Sequence, residues 1–187
     1  MISFTTVTHQ AQIQQMLDLQ MQNLPQYITA DEAKEQGFLT VQHDATLLWA
    51  MNQKHAHSIA VDNEKVVGFA LVMTQDFKNN IPILIPMFKQ LDEMTFQHKP
   101  LNESSYFIMG QICVAKPHRG QGIAGQMYKN LQERLSNSFE YVITEVVTHN
   151  WRSMRAHEKV GFQILKQYKD ELNGEEWALL IWNWRKE

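Results

Sequence analysis

The chain has 187 residues, 44% hydrophobic and 20% charged, with a formal net charge of −3. That suits one globular domain over residues 1–187 with a core of its own, and the mild negative charge argues against nucleic acid or an anionic membrane as partner. One cysteine, Cys113, excludes an internal disulfide, and the opening MISFTTVTHQ has no basic start and no apolar run, so a cytoplasmic protein is expected.

From Ala11 to Leu24, residues Ile13, Met16, Leu17, Met21 and Leu24 recur at helical spacing, with Thr8 as the expected cap. Asp31 to Gln36 reads as a short second helix stopped by Gly37. Asp44 to Lys54 reads as a third, with Leu47, Leu48 and Met51 facing inward. The period then changes. Ser58 to Val61 and Val66 to Met73 read as strands joined by the turn Asp62-Asn63-Glu64-Lys65. Gln75 to Lys99 is irregular, with one short helix expected over Met87 to Met94. Its apolar run, Ile81 to Phe88, is broken by Pro82 and Pro86 and is far short of the ~20 residues that span a bilayer.

Tyr106 to Val114 is the next strand, and Gly122 to Ser136 a helix with Ile123, Met127, Leu131 and Leu135 in one stripe. Tyr141 to Val147 is a strand, and Asn150 to Val160 a helix ended by Gly161. Phe162 to Leu172 and Glu175 to Trp184 flank Asn173-Gly174, a strong hairpin signal. This alternation predicts an α/β fold: a mixed sheet with helices on both faces.

The chemistry starts after the strand ending at Val114. It runs into AKPHRGQGIAG, with glycines at 120, 122 and 125, and then into a helix. Glycine lets backbone N–H groups approach a ligand, and the first turn of a helix carries unpaired N–H groups and partial positive charge. Such a turn is an anion site or simply a turn. Arg119 would add a cation. The loop is not a Walker loop, because no Lys-Ser/Thr follows. Gly120 to Gly125 does fit the GxGxxG spacing of a dinucleotide site, and spacing alone leaves that reading open.

The segment Val114-Ala115-Lys116-Pro117-His118-Arg119-Gly120-Gln121-Gly122-Ile123-Ala124 resembles the acyl-CoA motif of GNAT N-acetyltransferases, Arg/Gln-x-x-Gly-x-Gly/Ala. Asn150 to Phe162 is similar to the same family's Asn-x-x-Ser/Ala-x-x-x-Tyr/His-Glu-Lys-x-Gly-Phe, with Ser153 and His157 on matching positions. The close match covers roughly residues 106–162. The resemblance implies a mostly antiparallel sheet in which the strands 106–114 and 141–147 lie parallel and splay apart. Acetyl-CoA would be the acyl donor and would lie in that opening. Backbone groups of Cys113 and Val114 would pair with its pantetheine arm, and N–H groups of Gln121, Gly122, Ile123 and Ala124 would hold the pyrophosphate beside Arg119 and Gly120. Asn150 would also contact the pantetheine arm, Ser153 would join the residues that bind the cofactor, and Gly110 suits a bulge that opens the strand.

Transfer of an acetyl group to an amine by direct attack needs the amine deprotonated, an oxyanion stabilised and the thiolate allowed to leave. By the resemblance, a backbone N–H near Val114 serves the oxyanion. His157 stands where many relatives carry a tyrosine that protonates the thiolate; otherwise it packs beside the sheet. Glu145 shares a strand face with Tyr141, Ile143 and Val147, so it is either a base acting through water or half of an ion pair with Arg152 or Arg155. Glu103 and Asp76 are weaker candidates. Cys113 reads as a small buried hydrophobe. His55-x-His57 has no third ligand nearby, so solvated surface and no metal are expected. Trp177, Trp182 and Trp184 read as core or as the interface of a homodimer. Asn23 to Phe38 and Gln75 to Pro100 are expected to shape the acceptor site. The expected activity is N-acetylation of a primary amine on a small molecule or peptide. A non-catalytic CoA-binding module on the same fold and a nucleotide-dependent oxidoreductase are the alternatives.

Overall fold

The computed structural model describes residues 1–170 and 174–185. Strands are β1 Ser3–Thr6, β2 Ser58–Asp62, β3 Lys65–Met73, β4 Thr95–Phe96, β5 Lys99–Pro100, β6 Tyr106–Val114, β7 Tyr141–Val147, β8 Gln163–Lys169 and β9 Glu176–Asn183. Helices are α1 Gln10–Met21, α2 Ala30–Gln36, α3 Ala45–Lys54, α4 Ile85–Asp92, α5 Ile123–Leu135 and α6 Trp151–Val160. Among the described residues, seven strands form one sheet in the order β1-β2-β3-β6-β7-β9-β8. β6 and β7 are parallel, and the other neighbours in that sheet are antiparallel. β4 and β5 form a separate small hairpin.

Alternation along the strands divides the core. Phe69, Leu71, Ile108, Ile143, Leu179 and Ile181 face the layer of α1, α3 and α4. Ala70, Val72, Phe107, Val142, Ala178 and Leu180 face α5 and α6. The stripe Ile123, Met127, Leu131 and Leu135 is buried as its spacing requires. The expected mixed sheet with helices on both faces and one parallel pair is the observed architecture.

Several local expectations need correction. α1 starts after His9 rather than Thr8, and Gln12 closes the turn by accepting the N–H groups of Thr8 and His9 at 2.8 and 3.2 Å. Met21 is 41% exposed, and Leu19 and Gln20 take the inward positions instead. β1 escapes the sequence because SFTT is short and polar; its pairing with β2, Ser3 opposite Val61, is a tertiary fact. α4 begins at Ile85, two residues before Met87, because Pro86 in its first turn lacks only an N–H that would have no helical partner. β8 ends at Lys169, and the predicted continuation to Leu172 and the turn residue Asn173 lie outside the described residues. His57 is fully buried rather than solvated: its Nδ1 accepts from Val72 N–H at 3.0 Å and its Nε2 donates to the Leu48 carbonyl at 3.1 Å.

The sheet splits at its parallel pair. β6 and β7 stay in register only from Tyr106–Tyr141 to Ile108–Ile143. On the other side of β6, Ala70 pairs with Ile112 but Val72 with Met109, so an extra residue sits in β6 at Gly110-Gln111. The bulge bends β6 away from β7, as the glycine suggested. The Thr144 hydroxyl donates to the Met109 carbonyl at 2.9 Å and closes the base of the split.

Candidate active site

A cleft of about 810 Å³ occupies the split. Gly110 to Val114 form one wall and Thr144 to Val147 the other. The loop before α5 lies at one end, α6 along one side, and Lys34, Glu35 and Gly37 to Thr40 complete the lining with Asn23. The stretch 75–100 contributes no described residue to this lining, contrary to expectation.

The loop end is built for an anion. Gly120 and Gly122 have φ of +80° and +75°, which side chains with a Cβ adopt only with strain. A Cβ on either would meet no atom within 4 Å, so open space lies in front of the backbone. Gly122 caps α5, and the first helical bond runs from Gln126 N–H to the Gly122 carbonyl at 3.1 Å. The N–H groups of Gly122, Ile123, Ala124 and Gly125 precede that bond and can serve a ligand. Arg119 does not reach over the loop. Its Nε donates to the Val114 carbonyl at 3.1 Å, one terminal nitrogen bonds Asn23, and the other lies 3.9 Å from Glu32, which also pairs with Lys116 at 2.8 Å. It therefore ties the loop to the N-terminal segment. Gln121 turns its side chain back to the Pro117 carbonyl, leaving its backbone at the loop surface.

Just past β6, Ala115 N–H bonds the Val67 carbonyl of β3 at 2.7 Å. By alternation, the Val114 N–H points the other way, into the split. Cys113 is buried, and burial pushes its thiol up to about 12, so it carries no thiolate at neutral pH. Below the bulge, Gln20 donates to Gln111 Oε1 at 2.6 Å and contacts His43 Nδ1 at 2.8 Å, while Gln111 donates to the Val41 carbonyl. Sequence reasoning missed this buried network. Gln20 on the apolar side of α1 was its only trace.

On β7, Glu145 is half-buried and lines the cleft. Burial pushes its carboxyl up to about 7, partly opposed by a hydrogen bond from Tyr168 to Oε1. Its partner is this tyrosine on β8; Arg152 and Arg155 line the cleft but form no ion pair with it among the described residues. Tyr168 had no signal in the sequence, because β8 shows no clean alternation. Asp76 is exposed and paired with Lys54, and Glu103 is exposed in a turn. Both lie outside the cleft.

On α6, Asn150 caps the helix by accepting the Ser153 N–H at 3.2 Å and donates to the Phe38 carbonyl at 3.4 Å. Gly37 packs so close that a Cβ there would lie 2.7 Å from Asn150 Oδ1. His157 is 2% exposed, with its ring against Tyr128 and Phe162 at centroid distances of 5.8 and 5.1 Å. Its Nδ1 lies 2.7 Å from the Ser153 carbonyl. A carbonyl only accepts, so the proton is on Nδ1 and Nε2 is a bare lone pair. Burial holds the ring's pKa down to about 4. At neutral pH His157 therefore has no Nε2 proton to hand to a thiolate.

The family model described as the acetyltransferase (GNAT) family matches residues 13–162, and the chain belongs to that family. It is thus an acyl-CoA-dependent acetyltransferase at the general level. No curated protein sequence matches it. In fold it is similar to the ribosomal-protein-S18-alanine N-acetyltransferase of Escherichia coli, with a TM-score of 0.63, 12% identity and coverage of 100% of this chain and 96% of that one. It is equally similar to YncA of Salmonella typhimurium bound to its cofactor acetyl-CoA, with a TM-score of 0.64, 11% identity and coverage of 100% and 96%. The NatC complex with Gag peptide and CoA gives 0.65, 16% identity and coverage of 97% and 98%. Among the described residues no helix is long and apolar enough to cross a membrane.

Proposed function

We propose that this chain is a single-domain N-acetyltransferase that moves an acetyl group from acetyl-CoA to a primary amine of a small molecule or peptide. Transfer is direct, with both substrates bound. The carrying observation is the pairing of one wall rich in backbone donors with an opposite wall bearing one carboxyl poised near neutrality. Peptide-acting and CoA-bound relatives of the same fold support the substrate class.

Acetyl-CoA, when bound, supplies the thioester carbonyl. The glycine loop fits its pyrophosphate, because the space a Cβ would take is open at Gly120 and Gly122. The N–H groups of Gln121 to Ala124 hold that group, and Cys113 and Val114 pair along the pantetheine arm. Val114 N–H faces the place where negative charge develops. Glu145 takes the proton of the attacking amine, directly or through one water, as the amine nitrogen bonds the thioester carbon; the C–S bond then breaks and CoA leaves as a thiolate that takes a proton from solvent. Its raised pKa suits that task, since a base works best near the operating pH. His157, Ser153 and Asn150 hold α6 and the 37–38 turn against the cleft.

Calorimetric titration with acetyl-CoA tests the binding half; no heat at high micromolar concentration overturns it. An amine and peptide screen for CoA release tests the chemical half. Binding without turnover on any acceptor would favour a CoA-binding module. The proposal includes a cytoplasmic enzyme without a metal. A homodimer through the outer strands is left to sedimentation measurements.

A further inference from the structure

Glu145 is not alone in its wall. Tyr168 sits on β8, two strands away across β9, and is aligned there with Trp177 and Val147. Its side chain reaches diagonally back and gives its hydroxyl proton to Glu145 Oε1. The Gln90 side chain of α4 also hydrogen-bonds this phenol. A phenol flanked by an amide donor and a carboxylate has one consistent polarity: the amide donates to the phenol, and the phenol donates to the carboxylate.

We propose that Tyr168 is a positioning residue that fixes the rotamer and proton affinity of Glu145. The phenol occupies Oε1, so the amine's proton is taken on Oε2. This rests on the reading of Glu145 as the base.

The other titratable groups near Glu145 do not substitute for this bond. Lys34 and Glu35 of α2, Cys113 of β6, and Arg152 and Arg155 of α6 line the same cleft without pairing with it. Asp170, just past β8, raises the carboxyl's proton affinity. Tyr168 lowers it, so it offsets burial and keeps part of Glu145 ionised at neutral pH.

The test is Tyr168→Phe in the full chain, which keeps the half-buried ring and removes only the hydroxyl. Two readouts apply: the acid limb of kcat/KM against pH, on an amine found by CoA release, and the titration of the Glu145 carboxyl by ¹³C NMR, assigned with Glu145→Gln. A hydrogen bond to a charged group is worth about one to two pH units. Both midpoints should move up by about one unit, with the rate recovered at alkaline pH and acetyl-CoA affinity unchanged. Fluorotyrosine at 168, a stronger donor, should move them down. An unmoved midpoint in both variants overturns the inference. The two failures are distinguishable: full activity in Glu145→Gln sinks the base itself, whereas loss there with an unmoved limb in Tyr168→Phe sinks only the positioning role.

Discussion

Glu145, half-buried, and His157, fully buried, are titratable groups beside one cleft, on opposite faces of the sheet. Glu145 faces the layer of α1, α3 and α4 with Ile143 and Leu179; His157 faces α5 with Tyr128 and Phe162. Burial acts on both in the same way, by disfavouring the charged form, but with opposite consequences. It lifts the carboxyl to about 7, where a base is useful, and drops the imidazole to about 4, where it has no proton to give at neutral pH. Polar contacts complete the separation. Tyr168 takes one carboxylate oxygen, while Ser153 takes the only ring proton. Burial by itself does not make a catalytic group; its sign and the direction of its polar atoms do.

Removing the base should have the largest effect. Glu145→Gln should lower kcat by about 10²–10⁴-fold while leaving the acetyl-CoA dissociation constant unchanged, because the swap keeps shape and removes proton transfer. Steady-state kinetics with calorimetry on the same protein checks this, and a full rate would break the contrast at once. His157→Ala should do the reverse. It should cost about 3 kcal/mol of stability by urea unfolding, since it empties a site that is 2% exposed, yet keep the rate per folded molecule. A hundredfold fall in kcat in folded His157→Ala would restore the acid role. Gly122→Val should weaken acetyl-CoA binding more than tenfold, and it should also destabilise, because φ is +75° there. Unchanged affinity in the folded variant would make the loop a plain turn.

A pair of opposed pH dependences sharpens the same contrast. His43, His57 and His157 all have pKa values lowered from 6.5 to about 4. Their contribution to stability is present above 6.5 and is lost as pH falls towards 4. Glu145 is raised, so its contribution is present below 4.5 and is lost as pH rises through about 7. Urea midpoints should therefore fall between pH 6.5 and 4, and Glu145→Gln should stabilise the protein at pH 8 but not at pH 4. A flat acid profile would show that the histidines are more accessible than the structure places them.

Much of this was legible before the structure. The 106–114 and 141–147 strands announce themselves by mostly apolar, β-branched and aromatic residues, and the glycine loop by its spacing, because these are local signals. Gly110 even marked the bulge that opens the sheet. What stayed hidden depends on contacts between distant segments. The Gln20–His43–Gln111 network joins α1, a loop and β6. Tyr168 reaches Glu145 across an intervening strand that follows it in the chain. Arg119 looked like a phosphate ligand, yet its direction was decided by Asn23 and Glu32, far away in sequence. His57 looked solvated because its partners, Leu48 and Val72, come from a helix and another strand.

The most direct test is a crystal structure of the chain with acetyl-CoA. It should show the pyrophosphate on the N–H groups of Gln121 to Ala124, the pantetheine arm along Cys113 and Val114, and the acetyl group opening towards Glu145 while His157 stays sealed against Tyr128. A pyrophosphate seated elsewhere, or an acetyl group turned to His157 with Glu145 out of reach, would contradict the account.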